Sequence, residues 1–387
     1  MILIKNCNLY SPAFLGKKDV LIAGTKIVAI GETLELSSGF DAEVIDAKGL
    51  NLVPGLIDAH VHIAGAGGEG GPATRTPEMP LSMLLEGGIT TVVGCLGTDG
   101  YTRDPASVLM KCKSLRQEGV SAYMYTGSYQ VPTPTLLGDP AKDLAMIDEV
   151  IGIGEIALSD HRSSYPTLNE LIQLASKARV GGMLGNKAGI INIHMGDAKD
   201  PFRPLYDVAN HSEIKLSQFL PTHCNRNRYI FEDAKTFGKT GYIDLTASSY
   251  PYYPDIEVKT SKAVVELVNS GVPLGHITIT SDACGSLPDF DQNGNLIRLE
   301  MGLPKSILSE LSDLVLIERI PIEKALQPVT STVADILKLR SKGRIHKGND
   351  ADLVLLDNDF RIAYLIAMGK LMVSNYKMLQ KGGYEKE

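Results

Sequence analysis

The chain has 387 residues, with 38 lysines and arginines against 45 aspartates and glutamates, and a formal net charge of −7. This acidic balance, without a local cluster of basic residues, argues against nucleic-acid binding. No apolar run approaches the roughly 20 residues that cross a bilayer, which argues against a membrane span. Five scattered cysteines and a strand-like start without a basic leader are typical of a cytoplasmic protein with reduced thiols.

Both ends of the chain have the pattern of β-structure. Short alternating apolar segments cover 2–8, 19–23, 26–30 and 42–46, and similar segments return at 352–356, 362–368 and 370–373. Neither end is long enough to form a stable sheet domain alone. We therefore predict that residues 1–51 and 343–387 combine into one small β-sandwich domain.

Between these ends, strand-like runs alternate with helical ones, which is typical of repeated βα units around a parallel sheet. The eight strand-like runs are 52–58, 89–94, 122–126, 150–155, 190–194, 216–222, 242–246 and 277–282. Clear helical segments are 105–118, 167–179, 226–237 and 260–269. The prediction is an α/β fold, a (β/α)8 TIM-like barrel over residues 52–342, with its active site at the C-terminal ends of the strands.

Residue types that commonly bind metals lie at the ends of several predicted barrel strands. His60 and His62 end the first run, and alternate side chains of a strand share a face, so both imidazoles point the same way. His194, His223 and Asp282 end three later runs. Any one of these histidines could be an ordinary buried residue satisfied by backbone. Together, imidazoles and a carboxylate indicate a divalent metal site.

Glu155 is a lone acid in the apolar fourth strand. A buried carboxylate is costly unless it is paired or bound to metal, so a salt bridge within the barrel is the alternative to ligation. We predict that Glu155 bridges two divalent ions. A hydroxide held between them would be a nucleophile at neutral pH, and Asp282 beside the metal would act as general acid and base. Zinc is the expected ion, with manganese and iron left open.

Loops beyond these strands carry charges that suggest a substrate pocket. Loop 65–71 has Gly-x-Gly-x-x-Gly spacing, but histidines precede it and prolines follow it, so a loop that displays Glu69 is favoured over a dinucleotide site. Arg162 and Arg226 follow ligand-bearing strands. Loop arginines are usually only solvated, but two at this edge suggest bidentate binding of carboxylates. The predicted substrate is small, with a free amine and carboxylates.

The chain resembles the amidohydrolase superfamily and, within it, the isoaspartyl (β-aspartyl) dipeptidases, over essentially its whole length. The segments that carry the resemblance superfamily-wide are 53–62 and 343–354, and the more specific ones are 67–77, 96–99, 159–163, 194–197 and 221–227. The resemblance implies hydrolysis of the β-aspartyl amide bond in dipeptides. It also implies a large ring-like homo-oligomer, an octamer.

The resemblance further implies a binuclear site in which His60 and His62 bind one ion and His194 and His223 bind the other. Asp282 would complete the shell of the first ion. Tyr129 would polarise the scissile carbonyl, and Glu69 would take the α-amine of the substrate. The residues that would hold carboxylates, in an order left open, are Arg162, Arg226 and Ser286, assisted by Thr98.

One departure from the better-known members concerns the fourth strand, where those proteins carry a carboxylated lysine that bridges the metals. Here Glu155 occupies that region, and its nearest lysines lie far outside the strand. Because a glutamate is shorter than a carboxylated lysine, we expect a local adjustment of the strand. Gly152 and Gly154 would accommodate it.

Two other functions remain open from the sequence. Another amidohydrolase, acting on a cyclic amide such as a hydantoin or dihydroorotate or on an N-acyl amino acid, would share the metals but would not need Glu69 and both arginines. A non-catalytic assembly protein on the same scaffold would typically have lost metal ligands. The complete ligand set of this chain disfavours that reading.

Overall fold

The computed structural model describes residues 1–36, 39 and 41–386. The strands are β1 (Ile2–Tyr10), β2 (Phe14–Ala23), β3 (Lys26–Gly31), β4 (Glu43–Asp46), β5 (Asn51–Pro54), β6 (Leu56–Val61), β7 (Ile89–Gly94), β8 (Ser121–Thr126), β9 (Val150–Leu158), β10 (Ile190–Met195), β11 (Phe219–Thr222), β12 (Ile243–Thr246), β13 (Ile277–Thr280), β14 (Ser286–Phe290), β15 (Leu296–Met301), β16 (Leu353–Leu356), β17 (Ile362–Ala367), β18 (Lys370–Ser374) and β19 (Lys377–Met378).

The α-helices are α1 (Leu81–Glu86), α2 (Pro105–Glu118), α3 (Pro140–Met146), α4 (Leu168–Leu184), α5 (Arg203–Asn210), α6 (Arg228–Phe237), α7 (Thr260–Asn269), α8 (Lys305–Leu316), α9 (Ile322–Ala325) and α10 (Ser331–Ile336). Short 3₁₀ turns lie at Pro72–Thr74, Leu216–Gln218, Leu274–His276 and Gln327–Val329. In the described part of the chain, no helix is long and apolar enough to cross a membrane.

The two ends of the chain meet in one nine-stranded sheet. Its order is β19-β18-β17-β16-β5-β1-β2-β3, with β4 beside β1. The ends join where β16 runs antiparallel to β5, with Leu355 opposite Leu52. Some apolar residues of this sheet, among them Ile4, Leu9 and Val20, form a core of their own, whereas others, such as Val53 and Val354, pack in the main core. All nine strands belong to one hydrogen-bonded sheet. The arrangement of this sheet as the two layers of a β-sandwich stays a prediction.

The middle of the chain forms the parallel sheet that the βα pattern predicts. Strands β6 to β11 lie side by side in chain order, and β12 and β13 form a parallel pair. Backbone hydrogen bonds link the pair to both edges of the larger sheet: Cys224 N donates to Asp244 O at 3.2 Å, and Asp282 N donates to His60 O at 3.1 Å. The result is a curled parallel sheet, in a mixed α/β fold, whose strand ends gather at one rim.

The first predicted barrel strand, 52–58, is in fact two strands, and this is a correction. β5 belongs to the terminal sheet and β6 to the parallel sheet, and Gly55 separates them. A Cβ atom at Gly55 would lie only 2.1 Å from Oγ1 of Thr90 on β7, so no side chain fits at this crossing. The apolar residues run on through both strands, which is why the break is not visible in the hydrophobic pattern.

A buried lysine ties the terminal sheet to the parallel sheet. The side chain of Lys342 is 3% exposed, and its ammonium contacts the carboxylates of Asp352 and, at 2.9 Å, Asp350. It also donates to Oγ of Ser121 at 2.6 Å, at the start of β8. The lysine therefore neutralises two acids beside β16 while it anchors them to a barrel strand.

We expect Lys342→Met to lower the free energy of unfolding by about 3 kcal/mol or more, because it leaves Asp352 buried without its cation. Urea denaturation measures the change. Lys26→Met is the matched control, since Lys26 also pairs with Asp350 but its side chain is 47% exposed, and we expect a loss below about 1 kcal/mol there. Equal losses in the two variants would contradict a structural role for the buried pair.

Candidate active site

The rim at the C-terminal ends of the barrel strands brings all of the predicted metal ligands together. Nε2 of His62 lies 3.1 Å from Oδ1 of Asp282, and Nε2 of His60 lies 3.5 Å from the same oxygen. His223 and Asp282 have φ angles of 61° and 53°, a left-handed backbone that is uncommon for residues with side chains. His223 directly follows β11 and Asp282 is the second residue after β13, where the chain turns.

The donor atoms form two groups that share Glu155. The first group is His60, His62, Cys95 and Glu155, and the second is Glu155, His194 and His223. Oε2 of Glu155 lies 3.4 Å from Nε2 of His60, 3.2 Å from Nδ1 of His194 and 3.7 Å from Nε2 of His223. Nitrogen and oxygen ligands of one tetrahedral zinc ion lie about 3.3 Å apart. The spacing therefore fits two divalent ions with a shared carboxylate.

A bulge in β9 carries Glu155 into this position. Ile191 on β10 pairs with Ile153, but Ile193 pairs with Ile156, so β9 has one residue more than its partner between these pairs. Gly154 has a φ of 149°, and a Cβ atom there would lie 2.8 Å from the carbonyl oxygen of Asn192. Bulges re-aim side chains in this way. The local adjustment that we expected from the shorter glutamate is present, and Gly154 permits it.

Hydrogen bonds on the far nitrogens orient two of the imidazoles. Nδ1 of His60 donates to Oδ1 of Asn192 at 2.9 Å, and Nδ1 of His223 lies in hydrogen-bond contact with Oγ1 of Thr246 at 2.7 Å. Each bond leaves Nε2 facing Glu155, which is how metal-binding histidines are commonly held. Sequence reasoning missed both partners. Asn192 lies two residues before His194 on the same strand face, and that spacing was the available signal.

The charges of the cluster suit a cation. Burial opposes ionisation of Glu155, but the imidazoles of His60 and His194 lower the pKa of its carboxyl well below its usual range. Burial, together with His194, lowers the pKa of His223 to about 4, so this imidazole is neutral at pH 7. Oδ1 of Asp282 is buried and accepts no well-aligned hydrogen bond from any described residue. A divalent ion would satisfy this oxygen.

A cavity of about 650 Å³ opens beside the cluster. The residues predicted to contact substrate all line it, namely Glu69, Thr98, Tyr129, Arg162, Arg226 and Ser286. Oε2 of Glu69 and Oγ of Ser286 are buried and have no hydrogen-bond partner among the described residues. Both atoms are therefore available to hydrogen-bond with a polar ligand in the cavity.

Arg162 is held by an acid that sequence reasoning missed. Asp160 accepts hydrogen bonds from Nε of Arg162 at 3.0 Å and from Nη2 at 2.9 Å. The remaining nitrogen, Nη1, lies 3.4 Å from Oγ1 of Thr98 and 3.7 Å from Oε1 of Glu69. Nη1 is therefore the corner of this guanidinium that faces the cavity. The acid lies two residues before the arginine. An Asp-x-Arg sequence that can form a bidentate pair was the signal that sequence reasoning missed.

Asp160 also connects Arg162 to the metal-ligand cluster. Its Oδ2 atom lies 3.2 Å from Nε2 of His194. Burial opposes ionisation, but His194 and Arg162 lower the pKa of the Asp160 carboxyl far below its usual range. The second arginine, Arg226, donates from Nη1 to the carbonyl oxygen of Met195 at 2.6 Å and lies 3.9 Å from Asp160. The two arginines thus meet at one carboxylate.

Tyr129 lies between the metal-ligand cluster and Arg162. Its phenolic oxygen is 2.7 Å from Nδ1 of His194, and the guanidinium of Arg162 lies 5.3 Å from the centre of its ring. Burial raises the pKa of Tyr129 well above its usual value. The hydroxyl therefore stays protonated at neutral pH and can donate a hydrogen bond.

The loop that carries Glu69 is fixed from outside the cavity. The guanidinium of Arg103 donates to the carbonyl oxygens of Ala64, Ala66 and Thr76, the last two at 3.2 Å. Within the described residues, this loop leads into the short turn Pro72–Thr74 rather than into an α-helix. A dinucleotide site needs a helix N-terminus at this point, so the structure agrees with our rejection of that interpretation.

Comparison with known proteins identifies the family. A model of the amidohydrolase family matches residues 212–372. The crystal structure of a β-aspartyl dipeptidase from the thermophilic, keratin-degrading Fervidobacterium islandicum AW-1, in complex with the β-Asp-Leu dipeptide, is 43% identical to this chain with a TM-score of 0.90. The alignment covers 98% of both chains.

More distant relatives share the fold. A dihydropyrimidinase from Brevibacillus agri NCHU1002 is 16% identical with a TM-score of 0.70, over 99% of this chain and 97% of that one. An adenine deaminase from Thermosipho africanus (strain TCF52B) is 25% identical over 97% of this chain but only 59% of its own length. The chain thus spans about three-fifths of that curated relative. From the family match and the 43% identical structure, the protein is a hydrolase that belongs to the amidohydrolase family.

Proposed function

We propose that the protein is a metal-dependent dipeptidase that hydrolyses the β-aspartyl (isoaspartyl) amide bond of dipeptides. The observation that carries this proposal is the convergence of three groups on the cavity beside the metal-ligand cluster. These are the unpartnered oxygens of Glu69 and Ser286 and the Nη1 atom of Arg162, which faces the cavity beside Thr98 and Glu69. The similar protein from Fervidobacterium islandicum AW-1 supports it, since that protein is a β-aspartyl dipeptidase in complex with β-Asp-Leu.

Two divalent ions, proposed to be zinc, would occupy the cluster. His60, His62 and Asp282 would hold the first ion, His194 and His223 the second, and Glu155 would contact both. When bound, the ions would supply Lewis-acid activation of water and of the scissile carbonyl. The clustered donor atoms and the buried, unsatisfied Oδ1 of Asp282 support this assignment.

The residues around the cluster would move protons and stabilise charge. Asp282 accepts the proton of the attacking water on the carboxylate oxygen that does not bind the ion and delivers it to the leaving amine, as a general base that becomes a general acid. Tyr129, which burial keeps protonated, donates a hydrogen bond to the oxyanion that develops from the carbonyl. Asp282 and Tyr129 line the same cavity, so both can reach one bound substrate.

Substrate recognition would come from the loops. Glu69 would take the α-amine of the aspartyl residue, because its Oε2 atom is buried in the cavity wall without a partner among the described residues. Arg162 and Arg226, assisted by Ser286 and Thr98, would bind the carboxylates. An amine and two carboxylates at these positions define a small free dipeptide and exclude a longer chain with blocked ends.

We also propose that residues 1–51 and 343–387 form the small β-sandwich domain and residues 52–342 the catalytic barrel, except that β5 extends the terminal sheet to Pro54. The separate apolar core of the nine-stranded sheet supports this division. A cytoplasmic homo-oligomer, an octamer by family resemblance, is proposed as the working form.

The zinc-loaded protein is expected to cleave β-Asp-Leu and to leave α-Asp-Leu intact, because the two linkages place the scissile amide differently relative to the amine and carboxylates. Chromatography of the released leucine measures both rates in one preparation. Dihydroorotate serves as the third substrate, since a cyclic-amide hydrolase would open it. Turnover of dihydroorotate without turnover of β-Asp-Leu would contradict the proposed substrate.

Glu155→Gln is expected to bind one ion per chain instead of two, because the neutral amide cannot replace a shared carboxylate. Elemental analysis after gel filtration counts the ions. Glu149→Gln is the matched control, since Glu149 precedes the same strand and contacts Lys113 and Arg116 away from the cluster. Two tightly bound ions and full activity in Glu155→Gln would rule out the shared-ligand assignment.

Glu69→Gln is expected to lower kcat/KM for β-Asp-Leu by about 10- to 100-fold, the range of one lost hydrogen bond to a charged group. N-succinyl-leucine, which lacks the amine, should be hydrolysed at a nearly unchanged rate by the variant. Glu78→Gln is the control, because Glu78 lies nearby in the chain but pairs with Lys111. Equal losses on both substrates would show that Glu69 does not recognise the amine.

A further inference from the structure

Cys95 lies in the wall of the metal-ligand cluster, although the proposed mechanism does not use it. It directly follows β7, so it belongs to the same rim as the histidines, and its side chain is fully buried. Its backbone N donates to the carbonyl oxygen of Val61 at 3.0 Å, between His60 and His62. The thiol is thus held beside the strand that carries the first pair of ligands.

The distances around the thiol match those of a metal ligand. Sγ of Cys95 lies 3.7 Å from Nε2 of His60 and 3.8 Å from Nδ1 of His62. Donor atoms of Cys95, His60, His62 and Glu155 all lie within 4.8 Å of one another. On a tetrahedral zinc ion, a thiolate sulfur and an imidazole nitrogen lie about 3.6 Å apart. For Nε2 of His60, which also faces Glu155, the observed separation is therefore that of two ligands of one ion.

Other buried cysteines of the chain behave differently. Sγ of Cys7, Cys112 and Cys224 donates to a backbone carbonyl oxygen at 3.0, 3.1 and 3.3 Å, respectively. For Cys95, the carbonyl oxygen of Val61 lies 3.7 Å from Sγ, and the sulfur instead faces two imidazoles. Unlike the other three thiols, the thiol of Cys95 therefore has candidate ligand nitrogens as its polar neighbours.

We propose that Cys95 is a direct ligand of the ion held by His60 and His62. It would bind as the thiolate, with the thiol proton released to solvent as the sulfur–metal bond forms. This inference rests on the proposed metal centre and goes beyond it. Cys95 would join His60, His62, Glu155 and Asp282 around the first ion, and the carboxylate oxygen of Asp282 that does not bind the ion would accept and deliver protons.

X-ray absorption at the zinc edge of the zinc-loaded wild-type protein tests the inference without a variant. A sulfur atom at about 2.3 Å from the metal is expected, next to nitrogen and oxygen ligands. The cobalt-loaded protein should show thiolate-to-cobalt charge-transfer absorption in the near ultraviolet. Cys95→Ser should abolish this band. It should also lower the affinity for the first ion by more than roughly 100-fold, the loss that removal of an outer-shell contact causes.

Cys112→Ser is the matched control, since Cys112 is equally buried but lies on α2, and it should keep both the band and the affinity. Bound metal with only nitrogen and oxygen neighbours would overturn the assignment of Cys95 and leave the proposed dipeptidase intact. Failure of the wild-type protein to bind any divalent metal would overturn both.

Discussion

The rest of the site depends on one buried negative charge, the carboxylate of Glu155. Its side chain is 1% exposed, and an isolated carboxylate at such a depth costs several kcal/mol. The protein compensates it with imidazoles from three strands and admits it through a bulge that only a glycine at 154 permits. A second acid, Asp282, lies near two of the imidazoles, those of His60 and His62. Two acids and four imidazoles at this spacing suit divalent cations.

The division of labour between strands and loops follows from this arrangement. Groups that need exact spacing, the donor atoms, lie on or directly after barrel strands, which the sheet holds rigidly. Groups that read the substrate, such as Glu69 and Arg162, lie on loops, where they can differ between relatives of one fold. Even these loops are pinned, by Arg103 in one case and by Asp160 in the other.

Much of the fold and of the site could be predicted because the relevant signals are local. Apolar runs of strand length separated by helical stretches predict a βα barrel, and residues that end these runs must share a rim. Glu155 is recognisable because an acid in an apolar strand needs a partner. The family resemblance added Tyr129, Thr98 and Ser286, which no local pattern distinguishes from other loop residues, and the structure places all three around one cavity.

By itself, then, the sequence determined the order of the strands, their inward faces and the set of residues at the rim, since these follow from periodicity along the chain. Only the tertiary structure decided which side chains touch. Asn192 and Thr246 matter because they face the far nitrogens of histidines on neighbouring strands. The break at Gly55 depends on Thr90, and the position of Cys95 depends on His60, each 35 residues away in the chain. Such contacts join separate strands across the barrel, and no local pattern of residues encodes a distance between them.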